Sequence, residues 1–363
     1  MTNLQSDTGT APQPQTSLGD LGWKPFFQNQ LADHDLNAQV PIRIMAVHRR
    51  QIIGIGAGPG AGVEVAMPPV LATDVDPEGA ATVGDWVLYD AETGRAAALL
   101  DRQSLFKRRA AGVGRSLQLI AANVDTAFIV TSCNQDFNIA RLERYLALAH
   151  QAQVTPVIVL TKSDLCDDPF AYVDQAATLD KRLCIEVVNA LDTASTARLQ
   201  PWCKPGQTVV FLGSSGVGKS TLVNALAGHE VMATGGMRED DAKGRHTTTS
   251  RALHRLEGGA WLLDTPGMRE VQLVDVAEGL DIVFDDLSEI AEGCKFRDCL
   301  HDTEPGCAVR QAIADGQIDA ARVERWRKLV AEDAHNNATL FERRGKDRAF
   351  DKMVKATIKG KKR

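Results

Sequence analysis

The sequence has no run of apolar residues long enough to cross a bilayer. Its N-terminal stretch, MTNLQSDTGTAPQPQTS, lacks the apolar segment of a secretory signal peptide. Cysteine is scarce, with seven residues in a chain of 363, and an odd number scattered in this way makes a poor disulfide framework. These absences argue against a membrane protein and a disulfide-stapled secreted scaffold. We expect a cytoplasmic protein with no membrane partner.

A surplus of positive charge is also missing, because the net charge is −6. Taken alone, that value argues against a nucleic-acid-binding protein. The charge is unevenly distributed, however: residues 342–363 hold ten Lys/Arg and three Asp/Glu, a net of +7, which leaves −13 on the rest of the chain. Two interpretations of the predicted tail, residues 341–363, stay open: a segment that contacts a polyanion, or a solvated, disordered end.

Length and a hydrophobic content of 44% allow two or three domains with real cores. Residues 1–36 are predicted to be an extension, partly disordered, whose aromatic segment around Trp23 docks on a folded domain. Residues 37–110 show about five short strands separated by glycine-rich turns, which predicts a small β-barrel. An OB-fold, which commonly binds oligonucleotides, and an SH3-like barrel both fit this pattern.

The barrel is followed by RQSLFKRR, residues 102–109, in which four basic residues surround one phenylalanine. This composition suits an RNA backbone with one stacked base, and it also suits a plain solvated linker. Residues 115–285 then alternate strands with helices, the pattern of a parallel α/β sheet.

A glycine-rich stretch, GSSGVGKS, fits the phosphate-binding pattern G-x-x-x-x-G-K-[ST]. A β-branched apolar run precedes it and a helical pattern follows it, as such a loop requires. Its backbone N–H groups would converge on one anion, while Lys219 reaches the β- and γ-phosphates and Ser220 ligates Mg²⁺. A simple glycine-rich turn is the alternative. The predicted phosphate-binding residues are Gly213, Ser214, Ser215, Gly216, Val217, Gly218, Lys219, Ser220 and Thr221.

The tetrapeptide Thr161-Lys162-Ser163-Asp164 follows a predicted buried strand, at the sheet edge where α/β proteins bind ligands. It is similar to the guanine-reading pattern N-K-x-D, with Thr161 in place of Asn. The Asp164 carboxylate can accept from guanine N1–H and from the N2 amine, a pair that adenine does not offer. The Lys162 stem would pack over the base. The threonine is expected to weaken one contact with the base or with a loop.

Three further segments extend this prediction. Asn189 and Ala190 end the next strand, where the Ala190 N–H would donate to guanine O6. Asp264-Thr265-Pro266-Gly267 fits D-x-x-G, in which Asp264 holds Mg²⁺ through water and the Gly267 N–H contacts the γ-phosphate. The polar loop before it contains threonines suited to complete the Mg²⁺ shell. The threonines predicted to do so are Thr248 and Thr249.

The order of the motifs is unusual, because the base-reading motif precedes the phosphate loop, whereas in ordinary GTPases it follows. A circularly permuted chain can still build the same site, since nucleotide contacts come from strand ends whose spatial order does not change. The central domain is therefore predicted to be a circularly permuted P-loop GTPase that binds GTP and GDP. Permutation also couples whatever follows D-x-x-G covalently to the switch segments.

Three cysteines and one histidine follow within the fourteen residues 294–307, spaced C-x₄-C-x-H-x₅-C. They supply four ligands for one closed, structural Zn²⁺ site, which would substitute for a core that so short a segment cannot build. Buried cysteines that cluster by chance are the alternative. Residues 286–340 are predicted to be a helical zinc-binding domain. The predicted ligands are Cys294, Cys299, His301 and Cys307.

The barrel, the permuted order, GSSGVGKS, GRHTTT, DTPG and the cysteine spacing together resemble the ribosome-small-subunit-dependent GTPase A family, RsgA or YjeQ. The resemblance covers about residues 20–335. It implies a GTPase that binds the small (30S) ribosomal subunit late in its maturation and that the subunit stimulates, so that hydrolysis times release. It also implies that the barrel and the zinc domain contact rRNA. We expect a monomer. The departures from the pattern are Thr161, Asn189 and the N-terminal extension.

Met268 stands directly after D-x-x-G, where Ras-like enzymes have a water-orienting glutamine, so unstimulated turnover is expected to be slow. This feature leaves open a second function, an RNA-binding scaffold that senses GTP with negligible hydrolysis. A P-loop ATPase is a third. If the protein hydrolyses GTP, His246 is the candidate to position the attacking water; the alternative is that it contacts rRNA.

Overall fold

The computed structural model confirms the predicted multidomain fold: an N-terminal barrel, a central α/β domain and C-terminal helices around a Cys₃His cluster. Among the residues it describes, no helix is long and apolar enough to cross a membrane. The seven cysteines are free thiols. The described residues are 15–34, 38–73, 76, 78–109, 117–230, 251–264 and 275–337.

Among its described residues, the barrel region contains seven strands, two of which have only two residues, and one α-helical turn that continues into a 3₁₀ helix, Asn29–Asp33. In chain order these elements are β1 (Gln15–Thr16), α1 (Pro25–Gln28), β2 (Gln39–Val47), β3 (Ile52–Gly56), β4 (Gly58–Pro59), β5 (Val63–Met67), β6 (Trp86–Asp90) and β7 (Arg95–Leu99).

The five longer strands form an antiparallel sheet in the order β5-β3-β2-β6-β7. The first of them, β2, therefore pairs with both the second and the fourth, as in the five-stranded Greek-key barrel of the OB-fold. Alternating apolar residues point inward, and Ile42, Ile44, Ile52, Met67 and Val87 are all buried. The OB-type alternative, rather than the SH3-like one, is the fold observed.

The segment before β2 packs against both the barrel and the α/β domain. Trp23 lies edge-on to the buried Trp86 of β6, with ring centroids 4.7 Å apart, and Phe27 is 1% exposed. The Trp261 indole N–H donates to the Asp20 carbonyl at 2.8 Å. The described part of the predicted extension is thus an ordered strap across the two domains.

A hairpin, β8 (Leu105–Arg109) and β9 (Leu117–Ala122), joins the barrel to the α/β domain. Of the two interpretations of residues 102–109, it argues against the one in which Phe106 stacks on a base, because Phe106 is only 2% exposed and belongs to the core. Arg102 is also engaged internally: its guanidinium forms two 2.7 Å bonds with the buried Asp85 carboxylate. Lys107 pairs with Glu78 at 2.8 Å. The charged groups of Arg102 and Lys107, which suggested an RNA contact, are therefore already bonded within the protein.

The α/β domain follows the predicted alternation. Its elements are β10 (Thr126–Ser132), α2 (Ile139–Gln151), β11 (Thr155–Thr161), α3 (Phe170–Ala177), β12 (Cys184–Val187), α4 (Thr193–Thr196), β13 (Thr208–Leu212), α5 (Lys219–Ala227), β14 (Arg251–Arg255) and β15 (Trp261–Asp264).

Its six strands lie in the order β12-β11-β10-β13-β15-β14, parallel except for β14. The strand β13, which leads into the phosphate loop, is central. The strand β11, which leads into the predicted base-reading residues, lies two places to one side of it, and β15 is its neighbour on the other. All three carboxyl ends therefore meet at one sheet edge. The edge strand β14 also pairs with β2, which continues the sheet into the barrel.

The C-terminal region consists of α6 (Ala277–Val283), α7 (Asp285–Ala291), α8 (Ala308–Ala314) and α9 (Ala320–Asn337). The segment after the cluster is divided into two helices, α8 and α9. Gly316, with φ of +70°, ends α8 in a left-handed cap in which the Gln317 N–H donates to the Ala312 carbonyl at 2.9 Å.

This region packs on α2 of the α/β domain. Gly279 of α6 lies so close that a Cβ there would fall 2.0 Å from the Ala147 carbonyl oxygen. The fully buried Glu143 carboxylate accepts from Arg325 Nε at 2.8 Å and from Arg322 Nη1 at 3.4 Å. Burial raises the pKa of Glu143, while the two guanidiniums oppose this shift. The α2–α9 contact thus depends on a buried charge with two partners.

Candidate functional site

The phosphate loop adopts a backbone that only glycine accommodates easily. Gly213, Gly216 and Gly218 have φ values of +145°, +80° and +96°. A Cβ at Gly213 would lie 2.3 Å from the Val130 carbonyl oxygen of the neighbouring strand. Val217, 1% exposed, anchors the middle of the loop in the core. These positions explain the glycine spacing seen in the sequence.

The loop leads directly into α5, which ends at Gly228 with φ of +71°. Ser220 and Thr221 lie half-buried in its first turn, where backbone N–H groups are not used by the helix. The Lys219 ammonium donates to the Ser214 carbonyl across the loop. A helix N-terminus, free amides and a lysine thus converge, which favours a polyanionic ligand.

The predicted base-reading turn, residues 161–164, lies at the end of β11. Lys162 adopts a left-handed backbone with φ of +56°, and residues 163–165 form one 3₁₀ turn. Ser163 and Lys162 are half-buried, and the Asp164 carboxylate is exposed to solvent at the sheet edge. The two acceptor oxygens of Asp164 are therefore accessible to a ligand.

Thr161, which replaces the asparagine of the pattern, is fully buried. Its hydroxyl lies 2.6 Å from the Val217 carbonyl of the phosphate loop and 3.1 Å from the Thr131 carbonyl of β10. A hydroxyl has one proton, so it donates to one of these oxygens at a time. Thr161 therefore joins the base-reading turn to the phosphate loop.

Thr161→Val, which keeps the shape and removes the hydroxyl, is expected to lower affinity for GDP and GTP alike. Leaving the buried Val217 carbonyl without its donor costs about 1–3 kcal/mol. We expect part of this cost to appear as a roughly tenfold weaker affinity for both nucleotides. Titration with fluorescently labelled GDP measures the loss of affinity, and Thr161→Ser is the control that keeps the hydroxyl donor. A changed ratio of GTP to ITP affinity would instead show that Thr161 touches the base.

Asn189 and Ala190 follow β12, beside the base-reading turn, as the Val188 N–H bonds to the Leu160 carbonyl at 2.8 Å. The Asn189 side chain accepts from the Leu191 N–H at 2.9 Å, so it stabilises its own turn. Leu191 is 81% exposed at this edge and was missed in the sequence, because an isolated leucine in a loop carries no local signal.

The structure describes only part of the predicted Mg²⁺ and γ-phosphate contacts. The backbone of Asp264 ends β15, which pairs with β13 through Val210 and Leu263, so its position beside the phosphate loop is as expected. The side chain of Asp264 lies outside the described residues. The predicted residues His246, Thr248, Thr249 and Gly267, together with Met268, also lie outside them.

The four predicted metal ligands come together after α7. Their ligand atoms all lie within 4.8 Å of one another, which makes this cluster able to hold a metal ion. His301 Nδ1 is 3.4 Å from the sulfurs of both Cys294 and Cys307, and these two sulfurs are 3.9 Å apart. Packing of four donors around one point is the arrangement of a closed metal site.

The surroundings of the cluster favour thiolate at one position. Desolvation raises the pKa of Cys294, but hydrogen bonds from the Val309 and Ala308 N–H groups at the start of α8, together with those from Cys307 and Cys299, outweigh it and lower that pKa below its ordinary value. Desolvation and the neighbouring sulfurs raise the pKa of Cys299 to about 11. A cation among the ligands would favour the deprotonated form of all three.

Two side chains that the sequence did not indicate support the cluster. The Trp326 ring of α9 lies 5.3 Å from the His301 ring, which holds the imidazole from behind. The Glu304 carboxylate accepts from its own backbone N–H and from those of Leu300, Asp302 and Thr303, and these bonds lower its pKa to about 2. Glutamate is common in loops, so neither its identity nor its spacing marks this role.

Comparison with known proteins gives a family and a fold. The family model described as RsgA GTPase matches residues 99–274. "Small ribosomal subunit biogenesis GTPase RsgA 2" of Vibrio parahaemolyticus is 50% identical over 348 residues, which are 95% of this chain and 94% of that protein. "Small ribosomal subunit biogenesis GTPase RsgA" of Mesorhizobium japonicum is 49% identical over 339 residues, 93% of this chain and 95% of that protein.

Two solved structures resemble the fold. YjeQ from Thermotoga maritima superposes with a TM-score of 0.58 at 24% identity and covers 81% of this chain and 98% of its own. YloQ, described as a circularly permuted GTPase, gives a TM-score of 0.58 at 23% identity, with 85% and 100% covered. At these identities the likeness concerns the fold, and it agrees with the motif order.

Proposed function

Because this chain belongs to the RsgA GTPase family, we propose that it hydrolyses GTP while bound to the small (30S) ribosomal subunit, late in the maturation of that subunit. Stimulation by the subunit would time release. The observation that carries the proposal is the bond between Thr161 and the Val217 carbonyl, since it joins a guanine-reading turn to a phosphate loop at one sheet edge. Family membership supports the enzyme over the non-hydrolysing scaffold.

In this proposal the nucleotide lies along the carboxyl edge of β11, β13 and β15. The loop from Gly213 to Thr221 would hold the phosphates through its N–H groups and Lys219. Asp164 would accept from guanine, with Lys162 packed over the base and Ala190 N–H donating to O6. Asn189 would act indirectly, by shaping the turn that presents Ala190.

Mg²⁺ would be held by the Ser220 hydroxyl in the first turn of α5, with Thr248 and Thr249 from the switch loop and Asp264 through water. The fit rests on hard oxygen donors at the anion-binding end of a helix. When bound, the ion would neutralise charge on the phosphate oxygens. The Gly267 N–H would contact the γ-phosphate. The chain's own part is to hold the phosphates and to exclude ATP through Asp164.

The metal of the Cys₃His cluster would be one structural Zn²⁺ per chain. A tetrahedral zinc with bonds of about 2.3 Å to sulfur and about 2.0 Å to nitrogen separates two sulfurs by about 3.8 Å and sulfur from nitrogen by about 3.5 Å. The observed separations of 3.9 Å and 3.4 Å fit these edges. Three soft thiolates and an imidazole also suit zinc better than Mg²⁺ or Ca²⁺.

The proposed partners are the subunit and its rRNA, contacted by the barrel, the C-terminal helices and the basic tail, with the protein acting as a cytoplasmic monomer. The described basic residues support an RNA contact at the β2–β3 turn, where Arg49 and Arg50 are exposed. The tail lies outside the described residues, so its contact with a polyanion stays a prediction.

GTP turnover measured with and without purified small subunits tests the function. We expect slow turnover alone, because Met268 cannot orient water, and a rise of roughly a hundredfold or more with subunits. Large subunits are the matched control. Equal turnover with and without small subunits would favour the GTP-sensing scaffold. Competition by ATP as strong as that by GTP would instead indicate the ATPase.

His246→Ala is expected to keep GTP affinity and subunit binding and to lower the stimulated kcat, on the order of a hundredfold if positioning of the attacking water is lost. The protein should then stay on the subunit with GTP bound. Single-turnover hydrolysis at saturating subunit measures this, and His229→Ala, at the exposed end of α5, is the control. Weaker subunit binding with a normal kcat would place His246 in the rRNA interface instead.

A further inference from the structure

The base of the phosphate-loop strand holds a buried arginine that belongs to the barrel. Arg43 of β2 is 1% exposed. One terminal nitrogen donates at 2.5 Å to the hydroxyl of Thr208, which is the first residue of β13. The other donates to the Leu21 carbonyl of the N-terminal strap. One guanidinium therefore joins the barrel, the strap and the strand that carries the phosphate loop.

The backbone around Arg43 is tightly packed against its guanidinium. A Cβ on Gly22 would lie 2.6 Å both from Arg43 Nη1 and from the Gly206 carbonyl oxygen, so the strap closes directly over the guanidinium. Arg43 Nε has no hydrogen-bond partner although it is buried. Burial lowers the pKa of Arg43 to about 10, while the nearby Asp125 and Asp85 carboxylates act in the opposite direction. A charge buried this way tolerates little displacement of its partners.

Thr208 is itself firmly placed. Its N–H donates to the Asp125 carboxylate at 2.7 Å, and its carbonyl accepts from the Asp125 N–H at 2.8 Å. Asp125 also pairs with Lys24 of the strap. A shift of Arg43 would therefore act on β13 rather than being absorbed by a free side chain.

The same barrel strand reaches the other side of the nucleotide site. Four residues beyond Arg43, Val47 pairs with Arg251, and Ala46 pairs with Ala252. Arg251 begins β14, the strand that leaves the loop containing Thr248 and Thr249, and β14 pairs in turn with β15. One strand, β2, thus contacts β13 through a side chain and β14 through its backbone.

We propose that Arg43 is a positioning residue that fixes the barrel relative to the phosphate-loop strand β13. Binding of a partner to the barrel can then affect the nucleotide site through this connection. The proposal rests on the proposed function, since it concerns how subunit binding stimulates hydrolysis. Without Arg43, the barrel would still bind the subunit, but its placement would no longer fix β13 relative to β14. Arg43 touches neither nucleotide nor the reacting atoms.

The full-length protein and its Arg43→Met variant are compared for GTP turnover alone and at saturating purified small subunits. We expect the stimulated kcat to fall about tenfold or more in Arg43→Met, a coupling loss within the usual range, with basal turnover, GDP affinity and the KM for subunits unchanged. Thr208→Val should act in the same direction and Thr208→Ser should not. Arg102→Met is the matched control, because the Arg102 guanidinium also forms several hydrogen bonds, but among the described residues its partners are Asp85, Glu78 and Ala80 of the barrel region.

Full stimulation in both Arg43→Met and Thr208→Val would overturn the proposal, and so would basal turnover that falls in parallel with stimulated turnover. If Arg43→Met does not fold, the comparison of stimulated turnover in Thr208→Val and Thr208→Ser tests the proposal instead.

If the wild type is not stimulated at all, the proposed function fails, and amide hydrogen exchange measured without subunits tests the role of Arg43. The wild type should then show different exchange in β2 with GDP and with a non-hydrolysable GTP analogue, and Arg43→Met should lose this difference. A retained difference would overturn the coupling.

Discussion

Cys299→Ser is expected to abolish binding of the metal ion and to release residues 294–307 from their ordered conformation. Structural zinc binds zinc-finger peptides with about 10–16 kcal/mol at neutral pH, most of which is folding free energy in so small a unit. The loop has little else to hold it, since Phe296 is 42% and Leu300 is 70% exposed. Metal analysis of the purified protein and limited proteolysis of the segment measure the two effects.

The damage should stop at the boundary with the α/β domain. α6 packs on α2 at Gly279, and the buried Glu143 binds Arg322 and Arg325 of α9 without using the cluster. GDP affinity is therefore expected to stay within about twofold of the wild type, as for any site remote from the change. Cys184→Ser, a free and exposed cysteine in β12, is the control. An ordered segment in metal-free protein would contradict the structural role of the metal.

Asp164→Asn is expected to reverse the nucleotide preference from GTP to XTP. The amide replaces one acceptor by a donor, which then faces guanine N1–H or the N2 amine, and losing the charged bonds costs about 1.5–3 kcal/mol for GTP. Xanthine carries an oxygen at position 2, which accepts from the new amide, so XTP gains about as much. The two effects add to about 3–6 kcal/mol, so the ratio of the two affinities should shift by roughly a hundred- to ten-thousandfold or more.

Competition of GTP and XTP against a labelled nucleotide measures this ratio directly. The control is Asp167→Asn, which removes the same charge three residues away, where the side chain is also exposed. If that variant shifts the ratio as much, the effect is a general one of charge near the site. Equal GTP affinity in the wild type and in Asp164→Asn would remove the guanine-reading role from this turn.

The phosphate loop and the metal ligands could be predicted because each consists of residues that lie close together in the sequence. A loop that wraps a phosphate needs glycines at set intervals, and Gly213, Gly216 and Gly218 do adopt the left-handed backbone that those intervals indicated. Four metal ligands within fourteen residues can meet without help from distant segments, and they do. The permuted order was also readable, since strands with such motifs end at one sheet edge whichever way the chain joins them.

Other roles depend on which distant side chain lies opposite. Thr161 was predicted to weaken one contact with the base or with a loop, and only the structure shows that its hydroxyl bonds to the phosphate loop 56 residues away. Phe106 was a candidate for base stacking, yet packing made it part of the core. Sequence composition describes what a side chain can do, whereas burial decides which of its groups remain available to a ligand.

The sequence by itself indicated the family and the order of the domains, and it predicted the phosphate loop, the guanine-reading turn and the metal ligands, because each depends on local spacing and on backbone conformations that few residues tolerate. Only the tertiary structure decided how the domains are joined. Arg43 reaches Thr208 across 165 residues, and Glu143 reaches Arg325 across 182. Nothing in the sequence distinguishes an arginine and a threonine so far apart from any others. The close packing of three segments excludes water from this pair, and in such an environment their hydrogen bond is stronger and costly to lose.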